Sequence, residues 1–143
     1  MSKQKIKILW VEDNIGDILI IKEAFKEAGV SYQLNVVNDG VEAMDYLFRR
    51  GRYARAHRPD LIILDLNLPK KNGREVIKEI KADSSLADMP LVVLTTSSHE
   101  QDVLEGYDPK RCLYLIKPIN FLAIVNSARQ IQNFWLSIIS GKQ

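Results

Sequence analysis

Four short stretches of this 143-residue chain concentrate reactive side chains: Glu12-Asp13-Asn14, Asp65-Leu66-Asn67-Leu68-Pro69, Thr95-Thr96-Ser97 and Lys117-Pro118. Each follows a run of apolar residues. Brought together, they would set three carboxylates, a hydroxyl and an ammonium around one cleft. Close carboxylates repel and raise one another's pKa unless a cation sits among them. Hard oxygen donors suit Mg²⁺ (or Mn²⁺), which keeps several waters and shares phosphate oxygens. Lys117 adds a second, mobile positive charge, and Thr95 adds a hydroxyl donor. A metal, a lysine and a hydroxyl around one carboxylate are the equipment for moving a phosphoryl group onto that carboxylate by in-line attack. Asp65 is the nucleophile this arrangement favours, because it ends the run Leu61-Ile62-Ile63-Leu64 and a strand would aim it rigidly.

The elements that must gather these groups are legible as five apolar runs: Ile6–Val11, Tyr32–Val37, Leu61–Leu66, Leu91–Leu94 and Cys112–Ile116. The first, third and fourth are nearly continuous, the pattern of strands buried on both faces. Helical periods lie between them. Ile18, Ile21, Phe25 and Ala28 mark a first helix over Ile15–Ala28, with Gly29 as its stop. Asp39 can cap a second, with Val41, Met44, Leu47 and Phe48 as its buried stripe. A third runs from about Gly73 to Ala82 on Val76, Ile77 and Ile80. A fourth has capping-box options at Ser97 with Glu100 or Ser98 with Gln101, only Val103 and Leu104 as apolar residues, and Gly106 as its end, so it should be short and loosely held. A fifth is capped by Asn120 and follows Leu122, Val125, Ala128 or Arg129, and Gln132 to Ile139. Five strand–helix alternations predict an α/β fold with a parallel sheet and five helices on its two faces. In such sheets ligands bind beyond the carboxyl ends of the strands, at the switch point, where all four stretches would lie.

Length and composition narrow the classes. One domain spanning 1–143 is expected, with a core over about 5–128 and a last helix extended to about 139. Hydrophobic residues are 46% and charged residues 27%, ordinary for a globular chain. Twenty basic against 18 acidic residues leave a net charge of +2, too small to imply nucleic-acid binding. With Cys112 alone, no internal disulfide exists and a cysteine-based zinc site is disfavoured. No apolar run reaches the ~18 residues of a membrane helix, and Ile8–Val11 is too short for a signal-peptide core. A cytoplasmic protein is the expectation.

Taken in order, each after a strand, the four motifs resemble those of response-regulator receiver domains of two-component signalling, with Gly73 downstream of the second. The resemblance covers the chain from about Lys5 into the last helix. It implies a flavodoxin-like, doubly wound five-stranded sheet of order 2-1-3-4-5. It also implies that Asp65 accepts a phosphoryl group from a sensor histidine kinase in a Mg²⁺-dependent reaction. Asp13 and Asp65 would ligate the metal with the backbone carbonyl of Asn67, and Glu12 would act through water. Thr95, with Thr96 beside it, and Lys117 would contact the phosphoryl group. Tyr114 would be the switch aromatic that turns inward as Thr95 moves. Asn67 and Ser97 match positions that tune dephosphorylation. The Lys117–Pro118 bond would be cis. Such a protein is a phosphoacceptor switch rather than an enzyme on an outside substrate. With no output segment after the receiver, its output would be protein contact. The arginine-rich connection from Arg49 to Pro59 and the long last helix resemble small stand-alone regulators paired with bacteriophytochrome-type histidine kinases.

Other residues carry plainer readings. Asn14 reads as a helix cap, Cys112 as core, and His57 and His99 as surface. Tyr114 also suits a half-buried strand aromatic. Arginines 49, 50, 52, 55 and 58 suit either an acidic partner or a solvated loop, and Tyr53 local packing. Phe134 and Trp135 lie ~100° apart on the last helix and cannot both face the core equally. With Ile138 they are candidates for a homodimer contact, alongside the face of the fourth helix, fifth strand and fifth helix. Two rival classes are disfavoured. A haloacid-dehalogenase-type phosphohydrolase needs an acid two residues after its nucleophile, where this chain has Asn67. A flavodoxin-like flavin binder would place a phosphate where Glu12 and Asp13 repel it.

Overall fold

The computed structural model describes residues 5–68, 70–118 and 120–140. Strands and helices alternate as β1 (Ile6–Val11), α1 (Ile15–Glu27), β2 (Tyr32–Val37), α2 (Gly40–Leu47), β3 (Leu61–Asp65), α3 (Gly73–Ala82), β4 (Leu91–Thr95), β5 (Cys112–Ile116) and α4 (Phe121–Ser140). All strand pairs are parallel, in the order β2-β1-β3-β4-β5. The continuous apolar runs of β3 and β4 are buried along their whole length. The expected order and the five strands are therefore present.

Two cores sandwich the sheet. Leu9, Val11, Ile62, Leu64, Leu91 and Val93 face α2 and α3, whose Met44, Val76, Ile77 and Ile80 cover them. Ile8, Trp10, Ile63, Val92 and Leu94 face the other way, toward Phe25 of α1 and Ala128 and Ile131 of α4. Trp10 is fully buried, and its indole Nε1 has no hydrogen-bond partner among the described residues. Caps follow the sequence signals. The side chains of Asn14, Asp39 and Asn120 accept the N–H groups of Asp17, Glu42 and Ala123. A full capping box between Asn72 and Glu75 starts α3. Two glycines permit close approach: a Cβ at Gly40 would lie 2.0 Å from the Lys71 carbonyl oxygen, and one at Gly73 would lie 2.6 Å from Leu66 Cα and 2.7 Å from the Asp65 carbonyl oxygen.

Three expectations are corrected. There are four α-helices among the described residues, not five. Between β4 and β5 the chain makes two 3₁₀ turns, Gln101–Leu104 and Pro109–Arg111, in place of an α-helix. The apolar content of the first is too small to hold an amphipathic helix. Neither capping box forms: no side chain caps the Gln101–Leu104 turn, the Ser97 hydroxyl accepts the His99 N–H, and the Glu100 carboxylate is taken by the Thr95 hydroxyl and Arg74. Side chains of α3 hold the turn instead, with the Lys81 ammonium donating to the Glu105 carbonyl at 2.8 Å. In α2 the buried stripe is Ala43, Met44 and Tyr46, while Val41 and Phe48 are exposed. Arg50 lies over the Phe48 ring. In α4 the stripe is Val125, Ala128, Ile131 and Ile138, and Leu122 is 76% exposed. The side chain of Ile138 is thus used inside the fold, whereas Phe134 and Trp135 are half-buried at the edge of the second core.

Candidate functional site

Sheet register alone builds the site. Val11 lies opposite Leu64, so Glu12 and Asp65, the next residues, emerge side by side at the switch between β1 and β3. Asp65 lies opposite Leu94, which puts Thr95 one residue beyond it, and Thr95 lies opposite Ile116, which brings in Lys117. Backbone hydrogen bonds extend these ladders past the strands. The Glu12 N–H donates to the Val37 carbonyl, Leu66 N–H to Leu94, and Lys117 N–H to Thr95. The reactive groups are therefore presented by rigid strand ends.

Glu12 and Asp65 are each only 2% exposed. The Lys117 ammonium is hydrogen-bonded to Asp65 Oδ2 and lies 3.9 Å from Glu12 Oε1. Asp65 Oδ1 accepts the Asn67 N–H at 2.9 Å. Glu12 Oε2 accepts the N–H groups of Asp13 and Asn14 at 3.1 and 3.2 Å. Burial, and then the nearby Asp65 charge, push the Glu12 carboxyl up to about 7, although Lys117 and the Asn14 N–H pull the other way. Burial works to lower the Lys117 pKa, but its hydrogen bond to Asp65 and the two carboxylate charges hold it above the ordinary lysine value. One lysine thus leaves two buried carboxylates short of positive charge. That deficit, in an all-oxygen donor set, fits a hard divalent cation.

The expected residues do not all converge. The Asp13 side chain is exposed on the loop beside Glu12, and no three acidic, histidine or cysteine side chains cluster tightly among the described residues. An ion held here would keep much of its water. Thr95 is fully buried, but its Oγ1 donates to Glu100 Oε1 at 2.6 Å rather than facing Asp65. Thr96 is exposed, as is the Asn67 side chain. Ser97 donates its N–H to Thr95 Oγ1 at 3.2 Å, and its hydroxyl accepts the His99 N–H. The Tyr114 hydroxyl donates to the Ser97 carbonyl and accepts the Glu100 N–H at 3.1 Å, with the ring half-buried against the α2/α3 core.

The Lys117–Pro118 bond is not cis; no cis peptide occurs among the described residues. The trans form is intrinsically favoured by about 0.5–1 kcal/mol before proline, and with it Lys117 already reaches Asp65. Pro69 lies outside the described residues.

Sequence reasoning missed Glu100 and Arg74. Glu100 accepts from Arg74, in the first turn of α3, at 3.1 Å, and Arg74 also reaches Asp102 at 3.4 Å. The only sequence signal was Glu100 itself, which looked like a cap residue. The arginine-rich connection is mostly occupied locally. Arg50 pairs with Asp45, Arg52 with Glu42 and the Tyr53 hydroxyl, and Arg58 with Asp88. Tyr53 packs against Tyr46 at 5.2 Å between ring centroids. His57 and His99 are exposed and Cys112 is half-buried.

Comparison with known proteins agrees with this geometry. The profile of the response regulator receiver domain matches residues 8–129. Response regulator Rcp1 of Synechocystis is 41% identical over 133 residues, covering 93% of this chain and 90% of Rcp1. The crystal structure of the phosphorylated cyanobacterial phytochrome response regulator RcpA superposes with a TM-score of 0.80 at 48% identity, covering 94% of this chain and 96% of RcpA. The Mn²⁺-bound form of Rcp1 superposes with a TM-score of 0.79 at 41% identity, covering 92% and 94% of the two chains.

Proposed function

Because the chain belongs to the response regulator receiver domain family, we propose that Asp65 takes a phosphoryl group from a phosphohistidine of a sensor histidine kinase. The observation that carries this reading is the buried Asp65 carboxylate at the end of β3, with the Lys117 ammonium bound to one oxygen and the Asn67 N–H to the other. A carboxylate oxygen of Asp65 attacks phosphorus. The P–N bond to the kinase histidine breaks as the P–O bond forms, and the histidine leaves with the electron pair. Asp65 is fixed for in-line approach by its strand and by its two hydrogen bonds. Lys117 transfers its contact from carboxylate to phosphoryl oxygens as charge moves outward.

Asp13, Asp65 and the Asn67 carbonyl would hold Mg²⁺ or Mn²⁺, with Glu12 acting through water. The Mn²⁺-bound Rcp1 supports that choice of ion. When bound, the ion supplies the positive charge that the phosphoryl oxygens require. Thr95 then swings to the phosphoryl group, and Tyr114 follows as its loop partners shift. The altered surface around β5, the turn after β4 and α4 is read by a partner or by a second copy of the chain, with Phe134 and Trp135 at the edge of that contact. RcpA is a phytochrome response regulator, which supports a phytochrome-type kinase as the donor. The chain acts as a single receiver unit in the cytoplasm and catalyses nothing beyond its own phosphorylation and dephosphorylation. No described helix is long and apolar enough to cross a membrane.

Incubation with acetyl phosphate and Mg²⁺, followed by intact mass measurement, tests the reading. Wild type should gain one phosphoryl mass and Asp65→Asn none. Undiminished labelling of the variant would move the site elsewhere.

A further inference from the structure

We propose that Glu100, braced by Arg74, is a positioning residue that holds the Thr95 hydroxyl away from Asp65 until a phosphoryl group competes for the same proton. The inference rests on the phosphoacceptor reading of Asp65 and adds what sets the threshold of the switch. A threonine hydroxyl has a single proton to donate. In Thr95 that proton is committed to Glu100 Oε1 at 2.6 Å, while the oxygen accepts the Ser97 N–H. The side chain cannot keep this bond and donate to a phosphoryl oxygen. Switching at Thr95 is therefore an exchange of one anionic acceptor for another.

Glu100 is well placed to compete. Its carboxylate only accepts, and a bond from a hydroxyl to an ionised carboxylate is about twice as strong as a neutral one. It is steered by Arg74 at 3.1 Å, and Arg74 is itself oriented by Asp102 at 3.4 Å. The backbone is pinned too, since the Glu100 N–H donates to the Tyr114 hydroxyl. The same residue thus grips both the hydroxyl that must move and the aromatic that must follow. The Thr95 hydrogen bond, with burial opposing and Arg74 assisting, keeps Glu100 ionised below the usual carboxylate range. The 3₁₀ turn after β4 is what allows this. Glu100 immediately precedes Gln101–Leu104, and α3 holds that turn through Arg74 at one end and Lys81 at the other.

Beryllofluoride, a phosphoryl mimic formed from beryllium and fluoride salts, tests the proposal when titrated with Mg²⁺ present and followed by two-dimensional amide NMR. Glu100→Gln and Arg74→Ala should each lower the half-saturating concentration about threefold to tenfold, because the unswitched arrangement loses a charge-assisted restraint. In a Thr95→Val background, which has no proton to hold, Glu100→Gln should leave the midpoint where Thr95→Val alone sets it. A purely structural role for Glu100 would shift both backgrounds alike, and that result overturns the proposal. So do equal midpoints for wild type, Glu100→Gln and Arg74→Ala. If Glu100→Gln loses its dispersed spectrum, Arg74→Ala, altered on a half-exposed side chain, carries the same expectation alone. Failure of wild type to bind the mimic, or equal binding by Asp65→Asn, would instead sink the phosphoacceptor reading on which the inference rests.

Discussion

Glu12 is a carboxyl group buried beside a second carboxylate, and it titrates late, at about 7 against the ordinary 4.5. The sign of its effect on stability follows. Between those two values the folded chain holds a proton that the unfolded chain has released, so stability falls as pH rises through this window. The full loss would be up to about 3 kcal/mol, because each pH unit between the two values contributes roughly 1.4 kcal/mol. Urea midpoints should therefore drop from pH 5 to pH 7.5, and Glu12→Gln should flatten that slope. An unchanged slope in the variant would show that another group is responsible. Millimolar Mg²⁺ should restore most of the loss at pH 7.5, since an ion that binds only the folded chain stabilises it by mass action. Lys117 acts at the other end of the scale. Its raised pKa stabilises the fold below the ordinary lysine value, and that contribution is lost as pH rises through the raised one.

Among the elements, α3 does two jobs at its first turn. Gly73 presses against the backbone of Asp65 and Leu66, and Arg74 reaches Glu100. Gly73→Ala would drive a Cβ into immovable backbone, so a loss of about 1–3 kcal/mol is expected from denaturant midpoints. An unshifted midpoint would mean that α3 slides freely against β3. Lys81→Ala should speed amide exchange over residues 101–106 while leaving the strands protected, because that turn depends on Lys81 for its carbonyls. The strands and three of the helix caps were legible because they are local. Continuous apolar runs marked β1, β3 and β4, and Asn14, Asp39 and Asn120 announced their helices. The α2 stripe was misread because Val41 and Phe48 fit a helical period yet face solvent. The Arg74–Glu100 pair was invisible because its members lie 26 positions apart and meet only once the sheet is assembled. Asp65, Glu12 and Lys117 were legible for the opposite reason: parallel register forces strand ends together whatever their separation. The orientation of the Thr95 hydroxyl depends on Glu100 and was not legible.

At the scale of the whole molecule, the central strands β3 and β4 are buried along their length, and most of the exposed large apolar side chains lie on the helices. Ile15 and Leu19 of α1 and Leu122 of α4 are exposed near the site, and Leu136 and Ile139 are exposed at the far end of α4. A homodimer through the region of Phe134 and Trp135 would cover part of the second group. Light scattering should then give twice the chain mass for wild type and a lower mass for Phe134→Ala combined with Trp135→Ala. An unaltered mass would exclude these two side chains from any contact between copies. Because both also pack at the edge of the second core, the double variant should lose thermal stability even if it is monomeric.

The dry indole behind β1 supplies an optical handle. Trp10 sits two residues before Glu12, without solvent contact, packed among apolar side chains and with no partner for its N–H among the described residues. Its emission belongs far to the blue, clearly separated from that of the half-exposed Trp135. Quenching by a small aqueous anion such as iodide should remove only the red component, leaving a luminescent probe seated beneath the acidic cleft.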